Sequence, residues 1–482
     1  MRYKISCTDT PAHLLHIEME ISGIESVEIA LQLPAWRPGR YELANFAKNI
    51  QRFEVFDALG KPVHFGKVTK DRWVVRTREM SELRVRYTYY AQQRDAGGSW
   101  LDDTLVYINF INCMLYVEGR MHEPCEVALH MPENYQIACG LTENAKHVLQ
   151  AQDYYQLVDS PLLAADSLQH ETYAVGVSTF HLWLWGNCRP DWHRIKNDFA
   201  RFTHKQVEVM GDFPCPHYHF ILQWLPYQHY HGVEHQNSTV IVLGPDTDFE
   251  RLYPELLGIC SHELFHTWNV IRIRPKELKP YDFKKENYFP TGFVAEGVTT
   301  YYGDLFLKRA GVFSLEDYLS ELQTTLKRHF DSHGSSFQSL VESSFDLWLD
   351  GYTTGVPNRK VSIYHKGALV ALILDLDIRQ RTGHVRSLDD VMRFMWVHFG
   401  KTQQGYTLED YRTAVEEVTG RSQQSYFDAC ITGNGPLQEG LNQALDFVGL
   451  TLVSGADGKI RLREPEEPSA EQLKNRSKWL DS

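Results

Sequence analysis

Apolar and polar positions alternate with a period of two along roughly the first 175 residues. HLLHIEMEI, SVEIALQLP, RFEVFDA, RWVVRT, LRVRYTYYA, TLVYINF, EVALHMP and YAVGVSTFHLWLWG each read as a strand. Pro38-Gly39, Leu59-Gly60-Lys61, Gly97-Gly98 and Pro132-Glu133-Asn134 supply turns between them. Many short strands at this spacing predict a β-sandwich or a large curved sheet. From about residue 190 the pattern becomes helical, beginning with DWHRIKNDFARFTHKQVEVMGDF. Two more strands, HYHFILQWL and NSTVIVLG, flank the loop PYQHYHGVEHQ. Helices are predicted over about 249–268 and 292–309. The chain beyond them reads as mostly helical, divided by caps and glycines. The stretch 456–482 is polar and charged and predicts a tail outside the core.

The length of 482 residues suggests about three domains. With 43% hydrophobic and 23% charged residues, wholesale disorder is excluded. A net charge of −13 leaves no broad basic footprint for nucleic acid, whereas acidic walls would suit a cationic substrate. None of the eight cysteines forms a C-x-x-C pair, so reduced thiols in the cytoplasm are expected. The N-terminus lacks the unbroken apolar segment of a signal peptide. No apolar stretch approaches the ~20 residues that span a bilayer, so no membrane partner is expected.

One pentapeptide changes the picture: His262-Glu263-Leu264-Phe265-His266. On a helix, the two imidazoles lie one turn apart on one face and can both ligate zinc. Glu263 beside them suits a general base acting on water. The apolar neighbours Leu256, Leu257, Ile259 and Trp268 would bury this helix, and buried histidines and carboxylates call for partners. A zinc hydrolase needs a third protein ligand. No third histidine follows at the H-E-x-x-H-x-x-G-x-x-H spacing, which leaves Glu296, in the apolar GFVAEGVTTYYGDLF, as the candidate. A solvent-facing helical glutamate is the alternative. Asp304, eight residues on, is a candidate to orient a zinc ligand, or else a surface or capping residue. His217, His219, His229, His231 and His235 crowd one region, where ordinary strand histidines compete with a second metal site.

HELFHTWNVIRIRP and FVAEGVTTYYGDL resemble the glycyl aminopeptidase family of gluzincin zinc metallopeptidases, related to aminopeptidase N and leukotriene A4 hydrolase. LPAWRPGRYELANFAKNI, HGVEHQNST, SLVESSFDLWL and VSIYHKGALVALILDL resemble further family segments. The resemblance implies an α+β multidomain fold. Its parts are an N-terminal β-sandwich or curved-sheet domain (1–175), a thermolysin-like zinc catalytic domain (176–330) and a C-terminal helical domain (331–455). It implies that Glu234 holds the substrate's free α-amino group, that Gly232 admits the peptide backbone, and that Tyr364 donates to the oxyanion. The family's preference for Gly or Ala is put in question by His231, where relatives commonly carry a small residue. The resemblance also implies that the family's C-terminal PDZ domain is missing, since GLTLVSGADGKIRL runs directly into SAEQLKNRSKWLDS.

The expected activity is therefore a zinc aminopeptidase acting on peptides with free N-termini. A thermolysin-type endopeptidase, hydrolysis of an epoxide or other small molecule, and a non-catalytic zinc-containing scaffold are the alternatives.

Overall fold

Tyr3, Ile5 and Cys7 point inward and are buried, while Arg2 and Lys4 lie outside. Leu15, Ile17, Met19 and Ile21 repeat the pattern on the neighbouring strand. In the computed structural model, which describes residues 1–481, such strands and the later helices gather into two compact units.

The first unit comprises residues 1–190, 215–252 and 282–286. Its largest sheet has seven strands, ordered Thr142–Ala145, Val148–Ala151, Cys125–His130, Arg2–Asp9, Leu14–Ser22, Glu82–Tyr90, Ile50–Asp57. Only the pair Arg2–Asp9 with Cys125–His130 is parallel within it. Two four-stranded sheets accompany it. The buried phenols of Tyr3, Tyr87 and Tyr154 donate to the carbonyls of Leu115, Cys113 and Met114 at 2.8, 2.7 and 2.7 Å, so none of these three hydroxyls is stranded.

A five-stranded sheet in the same unit contains β1 (Gln169–Val175), β2 (Ser178–Trp185), β3 (His217–Trp224), β4 (His229–Glu234) and β5 (Ser238–Gly244), in the order β1-β2-β3-β5-β4. The pairs β2/β3 and β3/β5 are parallel, and β1 and β4 join antiparallel at the edges. Every residue of β5 is buried, which its unbroken apolar run requires.

The second unit comprises residues 191–214, 253–281 and the chain from Asn287 onward. Its helices include α1 (Trp192–Met210), α2 (Tyr253–Phe265), α3 (Thr299–Arg309), α4 (Leu315–Phe330) and α5 (His365–Thr382). Asp191 caps α1 by accepting from the amides of His193 and Arg194, and a Ser314/Asp317 capping box opens α4. Two buried charge pairs lie among them: Arg309 with Asp389 at 3.1 Å and Arg379 with Asp375 at 3.1 Å.

The chain is mixed α+β, β-rich first and helical later, as its periodicities imply. Two local features differ from the reading of the sequence. The helix expected over 292–309 begins as a π-helical turn, Phe293–Val298, before α3. The polar tail expected over 456–482 folds instead: Ile460–Arg463 pairs with the preceding strand Thr451–Ser454, and a capped helix, Ala470–Leu480, follows. Trp479 and Leu480 anchor that helix, both essentially unexposed, and the Trp479 indole donates to the Tyr301 hydroxyl at 2.9 Å. Average polarity conceals an anchor made of two residues. Among the described residues, no helix is long and apolar enough to cross a membrane.

Candidate metal centre

α2 is apolar around most of its circumference, with Leu256, Leu257, Ile259, Cys260, Leu264 and Phe265 all buried. It therefore carries Glu263, 6% exposed, into the interior, with His266 just beyond its end at 1%. The register of α2 against α3 is fixed at Ser261, whose hydroxyl donates to the Gly303 carbonyl at 2.7 Å. Gln206 of α1 donates to the Ser261 carbonyl at 2.8 Å. A Cβ added to Gly303 would lie 3.4 Å from the Cβ of His262, so α3 packs directly on that ligand candidate.

Glu296, 3% exposed, sits in the π turn. Its Oε2 is 3.4 Å from Nε2 of His266 and 3.8 Å from Nε2 of His262, and the two nitrogens are 3.0 Å apart. Tetrahedral zinc with bonds near 2.0–2.1 Å holds neighbouring donors about 3.3 Å apart, so this donor set fits such an ion. Burial lowers the pKa of His262, and the neighbouring His266 lowers it further. Burial pushes Glu296 up, but the histidines' charge and hydrogen bonds outweigh it and hold the carboxyl below its usual range. A divalent cation held by these groups would displace the shared proton, leaving neutral imidazoles beside an ionised carboxylate.

Sequence reasoning missed Asn269. The Nδ1 of His266 lies 2.6 Å from the Asn269 carbonyl, which makes Nδ1 a donor and turns Nε2 towards Glu296. The Asn269 side-chain amide donates to the Val294 carbonyl at 2.8 Å and to the Thr299 hydroxyl at 3.1 Å. One buried residue thus ties the end of the histidine helix to the turn that carries Glu296. A π-helical turn widens the helix by one residue, a device common at functional sites.

Tyr364 stands at the start of α5, half-buried. That helix start is brought onto the π turn by two facing glycines. A Cβ on Gly297 would lie 2.5 Å from Cα of Gly367 and 2.7 Å from the Ile363 carbonyl oxygen. Asp304 hydrogen-bonds to neither His262 nor His266. Burial first, and Glu321 second, push its carboxyl up to about 7. Asn269 makes a contact of the orienting kind to His266.

Glu234, Gly232 and His231 lie on β4 in the first unit, with Glu234 6% exposed. His231 is 3.9 Å from Asp95, and burial, aided by Arg37, lowers its pKa to about 4. Three of the other crowded histidines have partners of their own, and among the described residues none of the crowd joins a metal-ligating group. His217 meets His181 at 3.2 Å, His219 accepts from the Trp183 indole at 3.1 Å, and His235 meets Asp159 at 2.9 Å.

Residues 2–166 match the Peptidase M61 N-terminal domain and residues 255–370 the M61 glycyl aminopeptidase domain, together more than half of the chain. An aminopeptidase N family protein of Idiomarina loihiensis is 28% identical, with a TM-score of 0.89 over 97% of this chain and 82% of that one. An M1 zinc metallopeptidase mutant of Deinococcus radiodurans, solved with a Tyr-Ser-Ala substrate, is 14% identical, with a TM-score of 0.56 over 90% of this chain and 94% of that one. A two-domain M1 zinc metallopeptidase mutant bound to L-tryptophan is 14% identical, with a TM-score of 0.54 over the same shares. The last two likenesses show a shared fold. No curated protein matches. The second matched region holds His262, Glu263, His266, Glu296 and Tyr364, and with both family domains present the chain belongs to the M61 glycyl aminopeptidase family and is a metallopeptidase.

Proposed function

We propose that this metallopeptidase is a zinc aminopeptidase that removes single small residues, Gly or Ala, from peptides with a free N-terminus. The observation that carries this reading is the convergence of His262, His266 and Glu296, whose donor atoms lie within 4.8 Å of one another beside the buried Glu263. When bound there, zinc supplies Lewis acidity, polarising a carbonyl and lowering the pKa of water towards about 7. Glu263 takes the proton of the attacking water and returns it to the leaving amine. The Tyr364 phenol donates to the oxygen on which negative charge develops. Glu234 pairs with the substrate's α-ammonium group, which restricts cleavage to the first peptide bond. The preference for Gly or Ala rests on the family resemblance, and the bulk of His231 is the residue-level reason to measure it. Eight free thiols support a reducing compartment, the cytoplasm.

The test is a panel of aminoacyl-p-nitroanilides and their N-acetylated counterparts, assayed with and without chelator and with zinc restored. Free-amine substrates should be cleaved and blocked ones ignored, and Glu263→Gln should retain zinc while losing about a hundredfold or more in kcat. Wild-type turnover by Glu263→Gln would sink the mechanism. Cleavage of blocked peptides that is indifferent to Glu234→Ala would make the protein an endopeptidase.

A further inference from the structure

The segment Arg37-Pro38-Gly39-Arg40 forms a tight turn closed by a 3.3 Å bond from the Arg40 amide to the Arg37 carbonyl. Gly39 has φ +77°, which glycine alone adopts without strain. It has a second reason to lack a side chain. A Cβ there would lie 2.7 Å from Oε2 and 3.2 Å from Oε1 of Glu234, so the carboxylate at the end of β4 rests directly on the Cα of Gly39. The turn is itself anchored. Arg37 is 6% exposed and donates to the Pro38 carbonyl at 3.1 Å. Its guanidinium lies against Gly97, where an added Cβ would coincide with it. Gly97 is in turn held by its amide, which donates to Asp95 at 2.8 Å. The chain of contacts runs from Asp95 to Gly97, Arg37, Gly39 and Glu234, all within the first unit.

We infer that the Arg37–Arg40 turn aims the Glu234 carboxylate at the substrate's ammonium group, with Gly39 as the positioning residue. The inference rests on the reading of Glu234 given above. An ammonium–carboxylate hydrogen bond is short, about 2.7–2.9 Å, and weakens steeply off its geometry. A methyl group at Gly39 must push the carboxylate away by several tenths of an ångström to reach an ordinary contact. That displacement is large enough to break the pair. Because the pair forms with the ground state and the transition state alike, the loss belongs mainly in KM.

The experiment is steady-state kinetics of the zinc-loaded enzyme on Gly- and Ala-p-nitroanilide. It compares Gly39→Ala, Glu234→Gln, the double variant, and Gly23→Ala as control. Gly23 lies in the same unit at φ +65° with nothing within 4 Å, so its alanine imposes similar backbone strain without touching Glu234. The expected result is a rise in KM of about tenfold for Gly39→Ala, with kcat changed little. Glu234→Gln should raise KM similarly, the double variant no further, and Gly23→Ala not at all. If Gly39→Ala is too unstable to assay, Gly97→Ala reaches the same turn through Arg37 and should raise KM in the same way.

A Gly39→Ala KM within twofold of wild type, a rise that multiplies with that of Glu234→Gln, or an equal rise in Gly23→Ala overturns the inference and leaves the ammonium reading standing. An unchanged KM in Glu234→Gln sinks both.

Discussion

Replacing Asn269 with alanine removes the amide that clamps the two halves of the metal centre. Three buried hydrogen bonds are lost, to the Val294 and Ala295 carbonyls and the Thr299 hydroxyl, the second of them long at 3.4 Å. Each contributes about 1 kcal/mol net, and acceptors left buried add a further penalty, so a loss of roughly 2–4 kcal/mol of stability is expected. The His266 Nδ1 contact is to the Asn269 backbone carbonyl and survives in principle, but that carbonyl is no longer tethered to the turn bearing Glu296. Loss of such an outer contact typically lowers metal affinity about 10- to 100-fold. Zinc affinity is read by competition with a chromophoric chelator, and stability by thermal unfolding of the metal-free and zinc-loaded protein. Asn269→Asp sharpens the test. It keeps the shape but turns an acceptor towards three acceptors, and should be at least as damaging. Zinc affinity within twofold of wild type in both variants would refute the clamp.

Gly297→Ala should force α5 off the π turn, destabilise the protein by about 1–3 kcal/mol and lower kcat more than it raises KM, as the start of the Tyr364 helix moves. Wild-type urea unfolding would contradict this. Asp304→Asn should stabilise in a pH-dependent way. The folded carboxyl titrates near 7 against an ordinary value of 3.8, so the native state holds the extra proton between them and wild-type stability falls as pH rises through that window. The variant's advantage should therefore grow from about pH 4 to about pH 7 and then level off, and a flat difference across urea titrations would count against it. Lys366→Met should raise the urea midpoint, because the buried Nζ has no hydrogen-bond partner and burial lowers its pKa. Here the unfolded chain holds the extra proton, so the gain should shrink towards alkaline pH, and a destabilised variant would show that the ammonium has a role.

The sequence was most legible where one residue's chemistry is repeated locally. The H-E-x-x-H spacing placed both histidines on one helical face, and the structure holds their Nε2 atoms 3.0 Å apart, His262 on α2 and His266 in the turn that follows it. Period-two alternation found the strands because burial on one face writes itself into every second residue. Legibility fell where a residue acts through a distant neighbour. Asn269 sits in HTWNV as an unremarkable polar residue, and its partners Val294 and Thr299 lie 25 and 30 positions away. Asp304, which the sequence left open between an orienting role and a surface or capping one, shows the converse. It is close to Glu296 in sequence, yet one helical face turns it towards Glu321 and Arg328 rather than the histidines. In the tail, a single Trp–Leu pair outweighed a polar average, because one buried indole and its hydrogen bond suffice to dock a short helix.

The chain by itself determined the two periodicities, the pair of histidines on one helix and the family likeness, since each depends only on residue type and spacing. Only the tertiary structure decided that Glu296 stands on a π turn facing those histidines, that Asn269 binds the turn to the helix, and that glycines at 297 and 39 let backbone approach Gly367 and the Glu234 carboxylate. The physical reason is range. Helix and strand patterns are set by neighbours a few residues apart, whereas a donor set is closed by groups that meet only after the chain has packed.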